Sequence, residues 1–94
     1  MTIGSKLQND ILLYLEALHY PAYNIIVSSK TGTSDILACI EGCFAAIEAK
    51  AGKDVVSMLQ AVKQKKVRDA RGYAIIARSL DDVAMLVEEI RLSQ

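Results

Sequence analysis

Residues 32–50 read GTSDILACIEGCFAAIEAK, and the reading of this stretch decides the fold. Two short apolar runs, Asp35 to Ile40 and Cys43 to Lys50, flank the pair Glu41-Gly42. Both are too short for ordinary helices and a glycine separates them, so the pattern predicts a β-hairpin. A two-residue loop at Glu41-Gly42 sets Ile40 across from Cys43 and Asp35 across from Glu48, with β-carbons about 5 Å apart. Side chains alternate along a strand, so Lys50 shares a face with Glu48 while Ala49 points the other way. Glutamate is a poor first residue for the type I′ turn that such a loop prefers, and a longer loop would shift the pairing.

Two directly opposed carboxylates repel, and a sheet gains nothing from them by themselves. A divalent cation removes the repulsion, because Mg²⁺ prefers oxygen ligands and takes one or two carboxylates together with waters and phosphate oxygens. A lysine beside such a pair can stabilise charge on a phosphate. Asp35, Glu48 and Lys50 are therefore the candidate site.

Working outward, Ser5 is placed as the cap of a first helix running to about His19, ended by Tyr20-Pro21. Its leucines and Ile11 cover more than one stripe, which predicts burial on two sides. A dimer interface or enclosure by its own small domain would each satisfy that. Asp10 and Glu16 are first-helix acids within possible reach of the site, and His19 reads as a helix-end residue. Tyr23 to Ser28 is predicted as a first strand on its β-branched content. The polar loop Ser29 to Ser34, which holds Lys30, leads to Asp35.

After Ala51-Gly52-Lys53, Asp54 is the expected cap of a second helix to about Arg71. Val55, Leu59 and Val62 mark its inner face, and Gln60, Lys63, Gln64 and Val67 share another. Residues 60–71 hold Lys63, Lys65, Lys66, Arg68 and Arg71 against Asp69 alone. Such cations either form a solvated face near a helix C-terminus or contact a phosphate backbone. Gly72 is expected to end the helix, followed by a strand from Tyr73 to Arg78. Ser79 and Asp82 then open a last helix to about Leu92, with Val83, Leu86, Val87 and Ile90 inward. The order is α-β-β-β-α-β-α. The helical crossover makes the last strand a parallel neighbour of the third. The expectation is an α/β fold with a mixed four-stranded sheet flanked by helices.

Composition narrows the classes. The 94 residues suit one domain, 1–94, and an apolar fraction of 52% favours self-association. Lys and Arg balance Asp and Glu at 11 each, so bulk charge names no partner. No signal peptide or membrane-length apolar run is read, which points to an intracellular, cytoplasmic location. Cys39 and Cys43 would lie on opposite faces of the hairpin, so neither a disulfide nor a metal site is expected from them. The chain has no Gly-rich phosphate loop, nucleophile elbow or His/Cys cluster, and no organic cofactor is expected. Nor does it show an aromatic set for stacking bases, since Phe44 is the only Phe, Trp is absent and the tyrosines are scattered.

GTSD, IEAK at Ile47 to Lys50, and Gln60 in a helix followed by Gly72 and a strand resemble the PD-(D/E)XK nuclease superfamily. Within it, nearly the whole chain is similar to the small stand-alone form of the virus-type replication-repair nuclease domain (VRR-NUC). The resemblance implies Asp35 and Glu48 as metal ligands with the Ala49 carbonyl as a third. It implies Lys50 as the catalytic lysine and Gln60 as the helical residue supporting the site, with Gln64 a rival for that role. It also implies Mg²⁺- or Mn²⁺-dependent hydrolysis of DNA that leaves a 5′-phosphate and a 3′-hydroxyl. Stand-alone members are homodimers associated with branched DNA such as four-way (Holliday) junctions, and they occur in phages and prophages. Lys30, Lys53, Lys63, Lys65, Lys66, Arg68 and Arg71 are the cations expected to meet DNA. Two departures stand out. Ser34 replaces the proline usual before the aspartate, and Gly4 and Ser5 stand where many relatives carry an acid. A nuclease acting on flap or linear DNA, and a silent nucleic-acid-binding or assembly module of the same fold, are the alternatives.

Overall fold

The computed structural model describes residues 3–26, 34–50, 52–53 and 55–94, without the side chains of residues 3–5, 26, 34 and 35. Helix α1 (Ile3–Ala17) is followed by strands β1 (Ala22–Ile26), β2 (Ser34–Ile40) and β3 (Cys43–Ala49). Helix α2 (Met58–Asp69), strand β4 (Tyr73–Ala77) and helix α3 (Leu80–Leu92) complete the chain. The four strands form one sheet in the order β1-β2-β3-β4, with β1-β2 and β2-β3 antiparallel and β3-β4 parallel. The expected mixed sheet flanked by helices is what forms.

The hairpin has the predicted register. Ile40 pairs with Cys43 and Asp35 with Glu48. Glu41 (φ 51) and Gly42 (φ 80) both take positive φ, as a type I′ turn requires. Glutamate is tolerated there because its carboxylate is held. The Tyr20 hydroxyl donates to Glu41 Oε2 and accepts from Arg91 Nε at 3.1 Å. The Arg91 guanidinium also stacks over the Tyr20 ring, 5.8 Å from its centroid. One phenol thus joins the hairpin turn to the end of α3.

Alternation splits the sheet into two faces. Ile36, Ala38 and Ile40 of β2 share one face with Ala45 and Ile47 of β3 and Ala77 of β4, all buried. Against this face pack Ile11 and Leu15 of α1 and Val83, Leu86, Val87 and Ile90 of α3. Full burial of each large aliphatic side chain contributes about 1.5–3 kcal/mol. Helix α1 touches the sheet with one stripe and α3 with another, which accounts for its doubled apolar surface. Leu7, Leu12, Tyr14 and Leu18 pack against this core, whereas Leu13 is 67% exposed. Enclosure within the domain, rather than a dimer interface, therefore explains α1.

Several boundaries move. Helix α1 begins at Ile3, so Ser5 lies within it rather than capping it. It closes when His19 (φ 66) turns left-handed, His19 N–H bonding Glu16 O and Tyr20 N–H bonding Leu15 O. His19 is thus a helix-end residue, as expected. Helix α2 repeats the device at Arg71 (φ 72), with Arg71 N–H on Arg68 O and Gly72 N–H on Val67 O. Gly72 accordingly sits one residue past the turn it was expected to make. Its lack of a side chain serves packing instead, since a Cβ there would lie 2.9 Å from Val67 Cγ1 and 3.3 Å from the Phe44 carbonyl.

The larger correction concerns α2. Its cap is Ser57, whereas Asp54 lies outside the described residues. Val55, Leu59 and Val62, expected to face inward, are exposed, Val55 by 84%. The stripe of Gln60, Gln64 and Val67 faces the sheet in their place. No helix of the described residues is long and apolar enough to cross a membrane.

Tyr20→Phe should lower stability by about 1–3 kcal/mol, because both hydrogen bonds of the hydroxyl end on charged side chains. Urea unfolding checks this, with a lower midpoint and an unchanged slope expected.

Candidate functional site

The second face of the sheet carries the candidate residues. Backbone register sets Asp35 opposite Glu48, and the β2-β3 pairing ends with that pair. Ala49, the last residue of β3, lies one step beyond it. Lys50 is half-buried, and its backbone N–H continues the parallel ladder by donating to Ala77 O at 2.9 Å.

Glu48 is only 3% exposed, an unusual position for a carboxylate. Gln60, 8% exposed, donates from Nε2 to Glu48 Oε1 at 2.6 Å. The orientation of that amide is not arbitrary. Gln60 Oε1 accepts the Ser57 backbone N–H at 2.9 Å, while Gln60 N–H donates to Ser57 Oγ at 3.1 Å. This is a capping box, which satisfies two donors left over at a helix start. Because the box holds the amide oxygen, the amide nitrogen is left to face Glu48. A flipped amide would set oxygen against carboxylate and lose both bonds.

Gln64, the rival for this role, turns elsewhere and donates from Nε2 to Ile75 O at 2.7 Å. Arg68 Nη1 reaches Ala74 O at 3.3 Å. Three polar side chains thereby tie α2 to the sheet, which is why its polar stripe faces inward. A cleft of about 270 Å³ separates α2 from the sheet, lined by Leu37, Ala46, Glu48, Gln60, Lys63 and Lys66 among others.

The remaining expected cations are divided. Lys63 and Lys66 share the cleft with Glu48, whereas Lys65 pairs with Asp69 at 2.8 Å on the exposed side. The backbone of Arg71 makes the helix turn while the residue itself is exposed, and Lys53 is exposed in the turn after β3. Lys30 lies outside the described residues. Of the first-helix acids, Asp10 pairs with Lys6 at 2.8 Å and Glu16 is exposed. Cys39 and Cys43 are free thiols, and their registers, opposite Phe44 and Ile40, put them on opposite faces.

Sequence reasoning missed two features. Ser57-x-x-Gln60 has the capping-box form, and that spacing was the available signal. The second is a pair of aromatic residues. Tyr23 pairs with Leu37, and Phe44 with Cys39, so both lie on the face that carries Glu48. They are 65% and 50% exposed. No local pattern announces this, because only the strand order unites them.

The resemblance implies a divalent cation at this end of the hairpin. Two carboxylate-bearing positions in register and a carbonyl at the end of the ladder are hard oxygen donors, which suit Mg²⁺ or Mn²⁺ and not a soft metal. The residues fit on that ground. Among the described residues, no group of three or more His, Cys, Asp or Glu gathers into a metal cluster. No family model, curated protein or solved structure matches the chain.

In protein without metal, Gln60→Met should cost about 2–3 kcal/mol, since it removes the cap bond and the donor to a buried carboxylate. Gln64→Met, which loses one bond to a backbone carbonyl, should cost about 1 kcal/mol. Urea unfolding of the two variants side by side checks the order.

Proposed function

We propose that the protein is a metal-dependent endonuclease of the PD-(D/E)XK type, close to the stand-alone VRR-NUC domain, that acts on branched DNA. The observation that carries this reading is the buried Glu48, held by Gln60 and registered opposite Asp35, in a cleft shared with Lys63 and Lys66. A purely structural glutamate gains nothing from a register opposite a second acid, whereas a divalent cation can use both.

Asp35, Glu48 and the Ala49 carbonyl would hold Mg²⁺ or Mn²⁺. Such an ion, when bound, supplies an activated water and polarises a phosphoryl oxygen. The chain's own residues do the rest. Gln60 keeps Glu48 oriented through a charge-assisted hydrogen bond. Lys50, next but one along the chain from Glu48, offers an ammonium to the charge that grows on the phosphate under attack. Lys63 and Lys66 attract the DNA backbone on either side of the cut. Hydrolysis leaves a 5′-phosphate and a 3′-hydroxyl.

Cleavage of a labelled four-way junction and of its separate duplex arms, with Mg²⁺, Mn²⁺ or EDTA, tests the reading. Metal-dependent cutting of the junction is expected, falling by at least about 100-fold in Asp35→Asn and Lys50→Ala. Folded protein that cuts neither DNA would make the chain a binding or assembly module instead.

Cutting two strands of a junction calls for two sites, and a homodimer related by a two-fold axis supplies them. An open groove beside the edge strand β4 is a surface on which two copies can meet. It is lined by Val56, Ile76, Met85 and Leu92, with Arg78 toward one end and Glu88 and Glu89 toward the other. Sedimentation at micromolar concentration should find a dimer, and Met85→Lys with Leu92→Lys should make it a monomer. A wild-type monomer would remove the paired-site reading.

A further inference from the structure

The cleft with Glu48 opens onto a part of the sheet that α2 leaves uncovered. On that floor stand Tyr23 of β1 and Phe44 of β3, both exposed, with Leu37 of β2 between their strands. Two strand spacings and a two-residue offset along the strands place their backbones about 12 Å apart. The wall beside them is cationic. Lys66 and Phe44 line one depression with Val67, Ala70 and Gly72, and Lys63 lines the cleft with Glu48. Glu48 stands four residues from Phe44 along β3, on the same face.

Two occupants could cover such a floor. A second copy of the chain would bury the lysines, and protein interfaces are depleted in lysine where they are most enclosed. A single-stranded nucleic acid uses both features at once, because its backbone follows the cations while its bases stack on the aromatic rings. Duplex DNA cannot use the rings, since its bases already stack on one another. The mixture of exposed aromatic floor and lysine wall therefore selects unpaired nucleotides.

We propose that Tyr23 and Phe44 form a stacking platform for unpaired bases a few nucleotides from the scissile phosphate. The substrate is then DNA that presents a single-stranded segment at a branch, such as a flap, a fork or an opened junction. This rests on the nuclease reading of Glu48 and Asp35 and narrows it.

The test measures binding in EDTA, where nothing is cut, by fluorescence anisotropy of labelled single strand, duplex, flap and four-way junction. Tyr23→Ala and Phe44→Ala should each weaken single-strand and flap binding about tenfold, while duplex binding changes less than about twofold. Tyr23→Phe, which keeps the ring, should restore wild-type affinity. Both positions are exposed, so truncation should leave the fold intact. Phe44→Trp adds a direct readout, because the chain contains no other tryptophan. Its emission should be quenched by single strand and not by duplex.

Equal affinity of wild type and both alanine variants for single strand overturns the platform alone. So does an equal loss on single strand and duplex. A dimer that Phe44→Ala converts to monomer assigns the floor to a second copy and also overturns it. Wild-type protein that binds none of the four DNAs overturns the nuclease reading itself.

Discussion

The site depends on a single constraint, the length of the turn between β2 and β3. Strand faces alternate with a period of two, so a one-residue slip in pairing would carry Glu48 from the cleft into the apolar face beneath α1 and α3. The type I′ turn at Glu41-Gly42 prevents the slip, and Tyr20 holds that turn in place through the Glu41 carboxylate. Tyr20 is itself fixed on both sides. Its backbone N–H completes the closure of α1, and its hydroxyl accepts from Arg91 at the end of α3. A feature more than 20 Å of strand away from the turn could not protect the register as directly.

Burial of one carboxyl group then orders the opposite side of the sheet. A carboxylate out of water requires donors, and α2 supplies one through Gln60. Meeting that need fixes the rotation of the helix, with Gln64 and Arg68 adding bonds to β4. The apolar residues Leu59 and Val62 of the helix are turned outward as a result. The helix accepts exposed aliphatic surface in exchange for satisfying polar groups beneath it.

The hairpin was legible because its evidence is local, two alternating runs around Glu41-Gly42. The pairing of Asp35 with Glu48, the parallel β3-β4 neighbours and the inward stripe of α3 followed from the same periodicities. The orientation of α2 was not legible. Hydrophobic periodicity assumes that apolar residues go inward, and here a buried acid on another element overrides it. The competition between Gln60 and Gln64 also needed coordinates, since both lie on one helix face and only contact separates them. The aromatic pair was hidden for a different reason. Tyr23 and Phe44 are distant in the chain, and only the β1-β2-β3 order sets them on one surface.

The parallel placement of β4 has a kinetic consequence. A hairpin closes on the order of microseconds, using contacts between near neighbours in the chain. Bringing β4 beside β3 requires the whole of α2 to cross over first, a longer loop with a larger closure entropy. The β2-β3 hairpin alone already sets position 35 in register with Glu48, but without the Gln60 amide and the lysines of α2. On contact order, the hairpin is expected to form before the charged cleft that α2 completes.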